Sequence, residues 1–414
     1  MKRIAVIGAG AAGCFCAIGI KRRQPEADVF VLEAGVKPLA KVAVTGGGRC
    51  NLTNSFADIC DLREAYPRGA QLMKRALARF DQHDTQAWFE SRGVPLVLQD
   101  DQCVFPRSQD AMDIVRALER EMRRLGVRVL CSHRVARIEP SGPSFRIHWT
   151  GRDGPGGVLD ADSVVLTAGG KSRDSLVSML PADVAVTATC PSLFTFNIDD
   201  APLKTLMGAV VEDASVSLAG TKFRASGPLL VTDWGLSGPA VLKLSSYAAV
   251  HLAERQYRAV INVAWLGDNR QEVIMHVLMA KASENARKLA LSACPEQLSA
   301  RVWRHVVLRS GLREDIRWAE VGSRGMVRLA ATLACDSYNI TGRCHFKGEF
   351  VTCGGVSLDS VNIKTLESKG HPGLYFAGEV LDVDAITGGF NLQAAWSTAW
   401  TVAESFGSEG VLPD

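Results

Sequence analysis

The sequence has no strong excess of either charge. Its 414 residues include 47 basic and 44 acidic side chains, which gives a formal net charge of +3. Nucleic acid and anionic membrane surfaces are bound by clustered Lys and Arg. The short basic runs at 21–23 and 120–128 are instead typical of solvated helix faces. The composition therefore does not predict nucleic acid or a membrane as the main partner.

The sequence also lacks the cysteine and histidine patterns of disulfide scaffolds and metal sites. It has 11 cysteines, an odd number, with no C-x-x-C pair, and its 8 histidines include no H-E-x-x-H motif. Scattered free thiols in a chain of this length are typical of a reducing compartment. We therefore expect a cytoplasmic protein with no metal site.

No apolar run is long enough to cross a bilayer. The longest candidate, residues 4–20, follows Lys2-Arg3 as a signal peptide would, but it is rich in glycine and has no A-x-A cleavage site. A strand, a tight turn and a helix account for every residue of this segment. We therefore expect no signal or membrane-spanning role for it.

What the N-terminus does have is the pattern G-x-G-x-x-G directly after an apolar run. Its three glycines allow a tight turn, close approach of a diphosphate, and close packing of the next helix. The free N–H groups at the start of that helix favour an anion. An acid follows twenty residues later at a strand end, where it can accept hydrogen bonds from ribose hydroxyls. The predicted dinucleotide-binding residues are Gly8, Gly10, Ala11, Ala12, Gly13 and Glu33.

A second glycine-rich segment, T-G-G-G-R-C-N-L-T-N, occupies residues 45–54. Glycines let the backbone approach a ligand, and Arg, Asn and Thr supply donors for diphosphate, ribityl or ring-carbonyl oxygens. The alternative is a loop held by Asn and Thr turns. The predicted binding residues here are Lys41, Gly47, Gly48, Arg49, Cys50 and Asn51. For Cys50 and for Cys353, a redox role and an apolar packing role both stay open.

The pattern of apolar and turn residues along the chain predicts a discontinuous core domain that is interrupted by an insertion. Residues 1–190 and 350–414 carry the glycine-rich motifs and the strand–helix alternation. Residues 191–265 and 320–349 read as an inserted β domain, and residues 266–319 as a helical insertion within it.

These motifs resemble those of the bacterial HI0933-like flavoproteins, also described as BaiN-like or aminoacetone-oxidase-like FAD-dependent proteins. The matching segments are 8–13, 45–54, F-P-R-S at 105–108, G-L-S-G-P at 235–239, T-L-E-S-K at 365–369, G-E-V-L-D at 378–382, and G-G-x-N at 388–391. The resemblance implies an α/β fold. It would have a Rossmann-like FAD-binding domain of the two-dinucleotide-binding type, an inserted β-barrel-like domain and a small helical domain.

The resemblance also implies further contacts with FAD. Val135 would contact the adenine through its backbone, and Ala168 and Gly169 would line the dinucleotide. The ribityl chain would be approached by Gly378, Glu379 and Asp382. The pyrimidine edge of the flavin would face backbone N–H groups at Gly388, Gly389, Asn391 and Leu392.

The chain departs from the family pattern in two places. The family usually continues with a longer glycine-rich stretch after residues 170–172, and it usually has a small residue at the position of Cys353. We therefore do not carry over a substrate from the resemblance.

The sequence as a whole predicts an FAD-dependent oxidoreductase that acts on a small molecule. No acid–base pair stands out, so no catalytic side chain is assigned. Because there is no second G-x-G-x-x-G, NAD(P)H would bind only transiently as electron donor, and oxygen is an alternative acceptor. Two other functions stay open, a flavin-binding regulatory or scaffold protein and a flavin-dependent RNA-modifying enzyme.

Overall fold

The computed structural model describes residues 1–152, 154–267, 270–344 and 351–407. The chain divides into two compact units. The discontinuous unit comprises Met1–Cys190 and Val351–Asp414, and the inserted unit comprises Pro191–Phe350. The finer division of the insertion into a β domain and a helical part stays a prediction.

The regular elements within these ranges are as follows. The strands are β1 (Arg3–Ile7), β2 (Asp28–Leu32), β3 (Thr53–Asn54), β4 (Leu96–Leu98), β5 (Cys103–Pro106), β6 (Arg128–Leu130), β7 (His133–Ser141), β8 (Ser144–Gly151), β9 (Gly157–Ala161), β10 (Ser163–Leu166), β11 (Cys190–Ser192), β12 (Phe196–Ile198), β13 (Val210–Leu218), β14 (Arg224–Val231), β15 (Gly235–Ser237), β16 (Ala259–Ala264), β17 (Asp336–Arg343), β18 (Val351–Cys353), β19 (Val361–Asn362), β20 (Glu367–Ser368) and β21 (Leu374–Phe376). The helices are α1 (Ala11–Arg23), α2 (Thr45–Gly48), α3 (Leu62–Ala65), α4 (Ala70–Leu77), α5 (Gln82–Glu90), α6 (Met112–Leu125), α7 (Arg173–Met179), α8 (Ala201–Lys204), α9 (Pro239–Tyr247), α10 (Ala249–Glu254), α11 (Gln271–Glu284), α12 (Ala300–Arg309), α13 (Gly322–Ala334) and α14 (Phe390–Glu404).

A seven-stranded sheet forms the centre of the discontinuous unit, in the order β19-β20-β21-β10-β1-β2-β6. The pairs from β21 to β6 are parallel, and β19 and β20 add antiparallel pairs at one edge. Strands β1, β2 and β10 are almost wholly buried, which explains their unbroken apolar sequences. Because β21 pairs with β10, the two ends of the chain contribute to one sheet.

Helices α1 and α14 are buried on most of their faces and pack against each other. Close packing is visible at Gly19, where an added Cβ would lie 2.7 Å from the Cβ of Ala403. On the same helix, the ring of Phe15 lies 5.4 Å from that of Trp396 and 4.8 Å from that of Trp88. Burying one such ring contributes about 2 kcal/mol to stability. None of the described helices is long and apolar enough to cross a membrane.

Three smaller sheets complete this part of the chain. Strands β7, β8 and β9 form an antiparallel sheet, and β3, β5 and β4 form another. Strands β11 and β18 form a two-stranded sheet. The second of these sheets positions the glycine-rich segment, since β3 is formed by the last two residues of that segment.

A closed barrel forms the centre of the inserted unit, with the strand order β12-β15-β14-β13-β16-β17. Its interior is continuous with a core that includes side chains of α9, α11, α12 and α13. Two of the largest side chains in that core, Trp303 and Trp318, stack with their ring centroids 6.0 Å apart. The predicted α/β fold class, with an inserted barrel and additional helices, is confirmed.

Four helices of the inserted unit, α8, α9, α10 and α13, lie in ranges where the residue pattern favours strands; α9 and α13 are the longest of them. Pro239 stands at the first position of α9, and Ala240, Val241 and Leu244 are buried at helical spacing. Helix α13 likewise occupies 322–334, where β structure was expected. In both segments the spacing of the buried residues follows 3.6 residues per turn, and this signal outweighs the high content of small and β-branched residues.

Candidate functional site

The turn between β1 and α1 places three glycines at the carboxyl edge of the parallel sheet. A Cβ on Gly13 would lie 1.9 Å from the carbonyl oxygen of Gly8, so only glycine lets the helix begin this close to the strand. A Cβ on Gly10 would meet no heavy atom within 4 Å. Protein packing therefore requires Gly13 but not Gly10. Gly10 instead leaves open the space in front of the helix N-terminus.

Ala11 and Ala12 form the first turn of α1. The first N–H groups of a helix have no acceptor within the helix, and the helix dipole gives them partial positive charge. This first turn contains no acidic side chain, and Gly10 offers no side chain to cap it. The N-terminus of α1 is therefore available to a negatively charged group.

The residues after β10 run beside the same turn. The hydroxyl of Thr167 donates to the carbonyl oxygens of Ile7 at 3.0 Å and Gly8 at 2.9 Å. Ala168 and Gly169, both predicted to line the dinucleotide, follow directly. Sequence reasoning missed Thr167, although a Thr at the end of a buried strand was the available signal.

Glu33 stands at the end of β2, next to the turn. One carboxylate oxygen accepts the N–H of Ala9 at 2.8 Å, and the other accepts the N–H of Gly35 at 2.6 Å. A carboxylate oxygen can accept a second hydrogen bond, so both can still receive a ribose hydroxyl. The backbone N–H of His133 donates to the carbonyl of Glu33 at 2.8 Å. This bond brings the start of β7, and with it the buried Val135, to the same place.

The glycine-rich segment exposes its backbone. Gly46, Gly47 and Gly48 have successive φ values of +57°, +69° and +85°, and an added Cβ on Gly47 or Gly48 would meet nothing within 4 Å. The guanidinium of Arg49 lies 4.6 Å from the centroid of the Phe105 ring, and its Nε donates to the Gly46 carbonyl at 3.2 Å. The stacking holds a positive charge beside an open stretch of backbone.

Cys50 faces the interior. It is fully buried, and its backbone N–H donates to the carbonyl of Thr45 at 2.9 Å. Burial raises the pKa of the Cys50 thiol to about 11, although a hydrogen bond with the Thr45 side chain opposes the shift. The thiol therefore stays protonated at neutral pH, which favours packing over thiolate chemistry.

The glycine-rich segment and the C-terminal motif touch each other. With its amide oriented to satisfy both neighbours, Asn51 donates to the Thr53 carbonyl at 3.0 Å and accepts the Gly389 N–H at 3.2 Å. The amide of Asn54 donates to the Gly388 carbonyl at 3.0 Å. The structure thus brings together residues that the sequence separates by more than 330 positions.

The C-terminal motif ends at the start of α14, which Gly389 caps with a φ of +91°. The Asn391 amide accepts the Ala385 N–H at 3.0 Å and donates to the Ala385 carbonyl at 3.0 Å, so its side chain shapes the preceding loop. The groups of α14 that are available to a ligand are therefore the backbone N–H groups of its first turn. Leu392 lies in this turn.

Gly378 and Glu379 connect this end of the chain to the N-terminal turn. An added Cβ on Gly378 would lie 2.7 Å from the Cβ of Ala12, so the two segments are in close contact. Glu379 accepts the Thr352 N–H at 2.9 Å, and its other oxygen lies 3.8 Å from the Lys41 ammonium. Lys41 thus has a carboxylate partner as well as the anionic ligand predicted for it.

Asp382 is half-buried at the same end. Burial raises the pKa of its carboxyl group, and hydrogen bonds from Thr187 and from the Gly354 backbone oppose the shift. Two residues later, Asp384 is fully buried and paired with the Arg68 guanidinium. The sequence contains no local signal that Arg68 is the partner of Asp384.

Gln393 is a buried polar residue that sequence reasoning also missed. Its side-chain oxygen accepts the hydroxyls of Thr53 at 2.6 Å and Thr85 at 2.9 Å, and its nitrogen donates to Ser397 at 2.9 Å. Such a satisfied amide fixes the position of α14 against β3 and α5. The available signal was a polar residue inside an otherwise apolar helix.

All the predicted site residues lie in the discontinuous unit, and their arrangement fits a dinucleotide. Gly10 leaves space in front of the N-terminus of α1, which no side chain caps. The Glu33 carboxylate is bonded to Ala9 in the same turn. The open backbone of Gly47 and Gly48 belongs to the segment that contacts the C-terminal motif. Within the described ranges, no group of three or more His, Cys, Asp or Glu side chains is placed to hold a metal ion.

Comparison with known proteins identifies the family. The family model described as "HI0933-like protein Rossmann domain" matches residues 2–405. The chain belongs to this family. The resemblance expected from the motifs is therefore confirmed, and the chain is an oxidoreductase of the flavoprotein type.

Three relatives align along nearly their whole length. The 3-dehydro-bile acid delta(4,6)-reductase of Clostridium scindens is 29% identical over 413 residues, which cover 97% of this chain and 98% of that protein. The ribosomal RNA dihydrouridine synthase of Escherichia coli is 29% identical over 418 residues, with 96% of each chain covered. That of Haemophilus influenzae is 27% identical over 417 residues, with 97% of each chain covered.

One similar solved structure is more distant in sequence. The open conformation of a flavocytochrome c3 fumarate reductase covers 98% of this chain and 78% of that chain, with 14% identity and a TM-score of 0.45. A likeness at this level carries no conclusion about chemistry.

Proposed function

We propose that the chain is an FAD-dependent reductase that adds hydrogen across a carbon–carbon double bond conjugated with a carbonyl group. The names of the relatives support this class of reaction. Dihydrouridine differs from uridine by two hydrogens across a ring double bond conjugated with a carbonyl, and a 3-dehydro steroid with delta(4,6) double bonds is a conjugated ketone. Two unlike substrates thus share one reducible group.

The observation that carries the flavin part of the proposal is that the C-terminal segment contacts both glycine-rich motifs of the N-terminal half of the chain. The first turn of α1 touches Gly378, and Asn51 touches Gly389. Protein packing does not account for the glycine at position 10, whereas a diphosphate on the helix N-terminus does. A single dinucleotide is long enough to use both ends of such a site.

The residues would hold FAD in the following way. The N–H groups of Gly10, Ala11 and Ala12 would bind the diphosphate, and the Glu33 carboxylate would accept the hydroxyls of the adenosine ribose. When bound, the flavin supplies the hydride and electron chemistry.

The remaining parts of the site would bind the flavin half. Arg49 has no carboxylate within ion-pair distance among the described residues, so the N–H groups of its two terminal nitrogens are available to the diphosphate or to a ring carbonyl. The N-terminus of α14 would lie at the pyrimidine edge, where its dipole favours negative charge. A positive end at this edge favours the reduced state of a flavin.

Reduced nicotinamide is the electron donor that we propose. The sequence has no second G-x-G-x-x-G motif, so NADH or NADPH would bind transiently rather than in a domain of its own. Oxygen is the competing acceptor, and the assay therefore excludes it.

The test is an anaerobic half-reaction assay on the purified protein. The absorbance of the flavin near 450 nm is followed after NADH or NADPH is added, and then after a conjugated enone is added. We expect bleaching by one nicotinamide and recovery of the absorbance by the enone. An alkene without a neighbouring carbonyl is the matched control and should leave the flavin reduced. Recovery that is equal with both compounds would contradict the proposed reaction class, and a colourless protein that cannot be reconstituted would contradict flavin binding.

A uridine in RNA is the second candidate substrate, because two of the relatives are named ribosomal RNA dihydrouridine synthases. The near-neutral net charge of +3 weighs against tight binding to a phosphate backbone. Adding ribosomal RNA as the oxidant in the same assay distinguishes the two substrates. Reoxidation by RNA but not by small enones would select the RNA, and turnover with either would exclude a purely regulatory or scaffold role.

A further inference from the structure

Two cysteines that are 163 positions apart come together in the two-stranded sheet of β11 and β18. Cys190 begins β11 and Cys353 ends β18, and the two strands are hydrogen-bonded neighbours. An antiparallel bridge between Val186 and Val356 continues the pairing on one side. Residues directly opposite each other on antiparallel strands have Cα atoms about 4.5–5.5 Å apart, a separation that a disulfide can span.

The two thiols are within hydrogen-bonding reach of each other, and they differ in exposure. Cys353 is 1% exposed, whereas Cys190 is partly open to solvent. The hydrogen bond with Cys190 raises the pKa of Cys353, and burial raises it further. Cys353 therefore keeps its proton and can share it with the sulfur of Cys190.

A cation acts electrostatically on both sulfurs. The Arg68 guanidinium interacts with Cys190 and with Cys353, and the Asp384 carboxylate with which it is paired opposes its effect on the pKa of Cys353. A neighbouring cation stabilises a thiolate, and the thiolate is the reactive form of cysteine. The more exposed Cys190 is thus the sulfur that a small oxidant would meet first.

We propose that Cys190 and Cys353 form a redox-active dithiol that reduces a hydroperoxide and closes to a disulfide. The Cys190 thiolate attacks the outer peroxide oxygen, the O–O bond breaks, and a proton is taken up to release an alcohol or water. This leaves a sulfenic acid on Cys190. The Cys353 thiol then attacks that sulfur, forms the S–S bond and releases water. In sum, two electrons pass from the two thiols to one hydroperoxide, so the thiols are oxidised to a disulfide and the hydroperoxide is reduced.

The dithiol lies outside the proposed flavin contacts but adjoins them. Thr352, the residue before Cys353, donates its backbone N–H to Glu379 at 2.9 Å. The inference goes beyond the proposed reductase activity and does not depend on it, because the dithiol chemistry can be measured with no substrate and no nicotinamide present.

The test uses the purified full chain with its cofactor as isolated. Reduced protein is exposed to an equimolar amount of cumene hydroperoxide, the remaining thiols are alkylated in denaturant, and the digest is analysed by mass spectrometry. We expect the Cys190 and Cys353 peptides to be recovered joined, lighter by two hydrogens than the separate peptides. The pair should be oxidised at least about tenfold faster than the exposed Cys60, whose thiol has no such neighbour among the described residues.

Two variants separate the roles of the thiols. In Cys353→Ser, a sulfenic acid should accumulate on Cys190, where dimedone traps it, and no joined peptide should form. In Cys60→Ser, the matched control, the disulfide should form as in the wild type. Far-UV circular dichroism checks that the variants fold. The peptide map of the wild-type protein tests the proposal even if a variant fails to fold. Recovery of Cys190 and Cys353 as separate alkylated peptides, or their oxidation no faster than Cys60, would overturn the proposal.

Discussion

Replacing Gly10 by alanine separates the role of this residue in ligand binding from any role in folding. The added Cβ would meet no heavy atom of the protein within 4 Å, and the backbone at Gly10 (φ −85°, ψ −166°) is accessible to alanine. Alanine loses about 0.4–1 kcal/mol less conformational entropy on folding than glycine. It is a poorer helix N-cap than glycine by roughly the same amount. The protein without flavin should therefore unfold with nearly unchanged free energy.

The same methyl group would occupy the space where we place the diphosphate. A hydrogen bond to a charged group is worth about 1.5–3 kcal/mol. Displacing one or two such bonds should weaken FAD binding by about 3 kcal/mol, which is roughly a 100-fold rise in Kd. The assay is a titration of flavin-free protein with FAD, followed by flavin fluorescence, together with urea unfolding of the flavin-free protein.

Two other glycines serve as controls for this experiment. Gly13→Ala places a Cβ 1.9 Å from the Gly8 carbonyl oxygen, so it should lower the free energy of unfolding of the flavin-free protein by about 3 kcal/mol or more. Gly154→Ala lies in an exposed loop with nothing within 4 Å, so it should change neither quantity. If Gly10→Ala binds FAD as tightly as the wild type, the diphosphate does not sit at this helix, and the reasoning is refuted.

Three further outcomes are expected. Asp384→Asn should lower the free energy of unfolding by about 3–5 kcal/mol in urea, because it leaves the buried charge of Arg68 uncompensated; a loss below 1 kcal/mol would show that the pair is not buried in solution. Glu33→Gln should weaken FAD binding by about tenfold in the fluorescence titration, because one of its two N–H donors then faces an NH₂ group; unchanged binding would remove Glu33 from the site. With a pKa of about 11, roughly one Cys50 thiol in a thousand is ionised at pH 8. Iodoacetamide should therefore label Cys60 and spare Cys50 at this pH, and the labelling of Cys50 should rise as the pH increases towards 11. Equal labelling of the two cysteines at pH 8 would contradict the burial of Cys50.

The local parts of the site were predictable from sequence, because each is made by neighbouring residues. The turn at Gly8 and Gly13 and the acid at Glu33 follow from the strand–turn–helix spacing alone. The open backbone at Gly47 likewise follows from three consecutive glycines. The fold class followed from these local units and from the resemblance that they revealed.

The long-range parts of the site were not predictable, since no local pattern records which distant residues meet. Arg68 and Asp384 are separated by 316 positions, and a single Arg among ordinary polar neighbours looks like a surface residue. Gln393 binds Thr53 and Thr85 across more than 300 positions. In the inserted unit, the strands expected at 322–334 are helix α13, because small and β-branched residues are tolerated in a helix when packing favours it.

The position of β21 beside β10 also determines the order of events during synthesis on the ribosome. The central sheet needs Leu374–Phe376, and the helix that covers it ends only at Glu404. The barrel strands, in contrast, all lie between Phe196 and Arg343, so their last member emerges earlier. The inserted unit can thus complete its core while the first 190 residues still await their partners, and the nascent chain carries an unfinished sheet until Leu374–Phe376 has emerged.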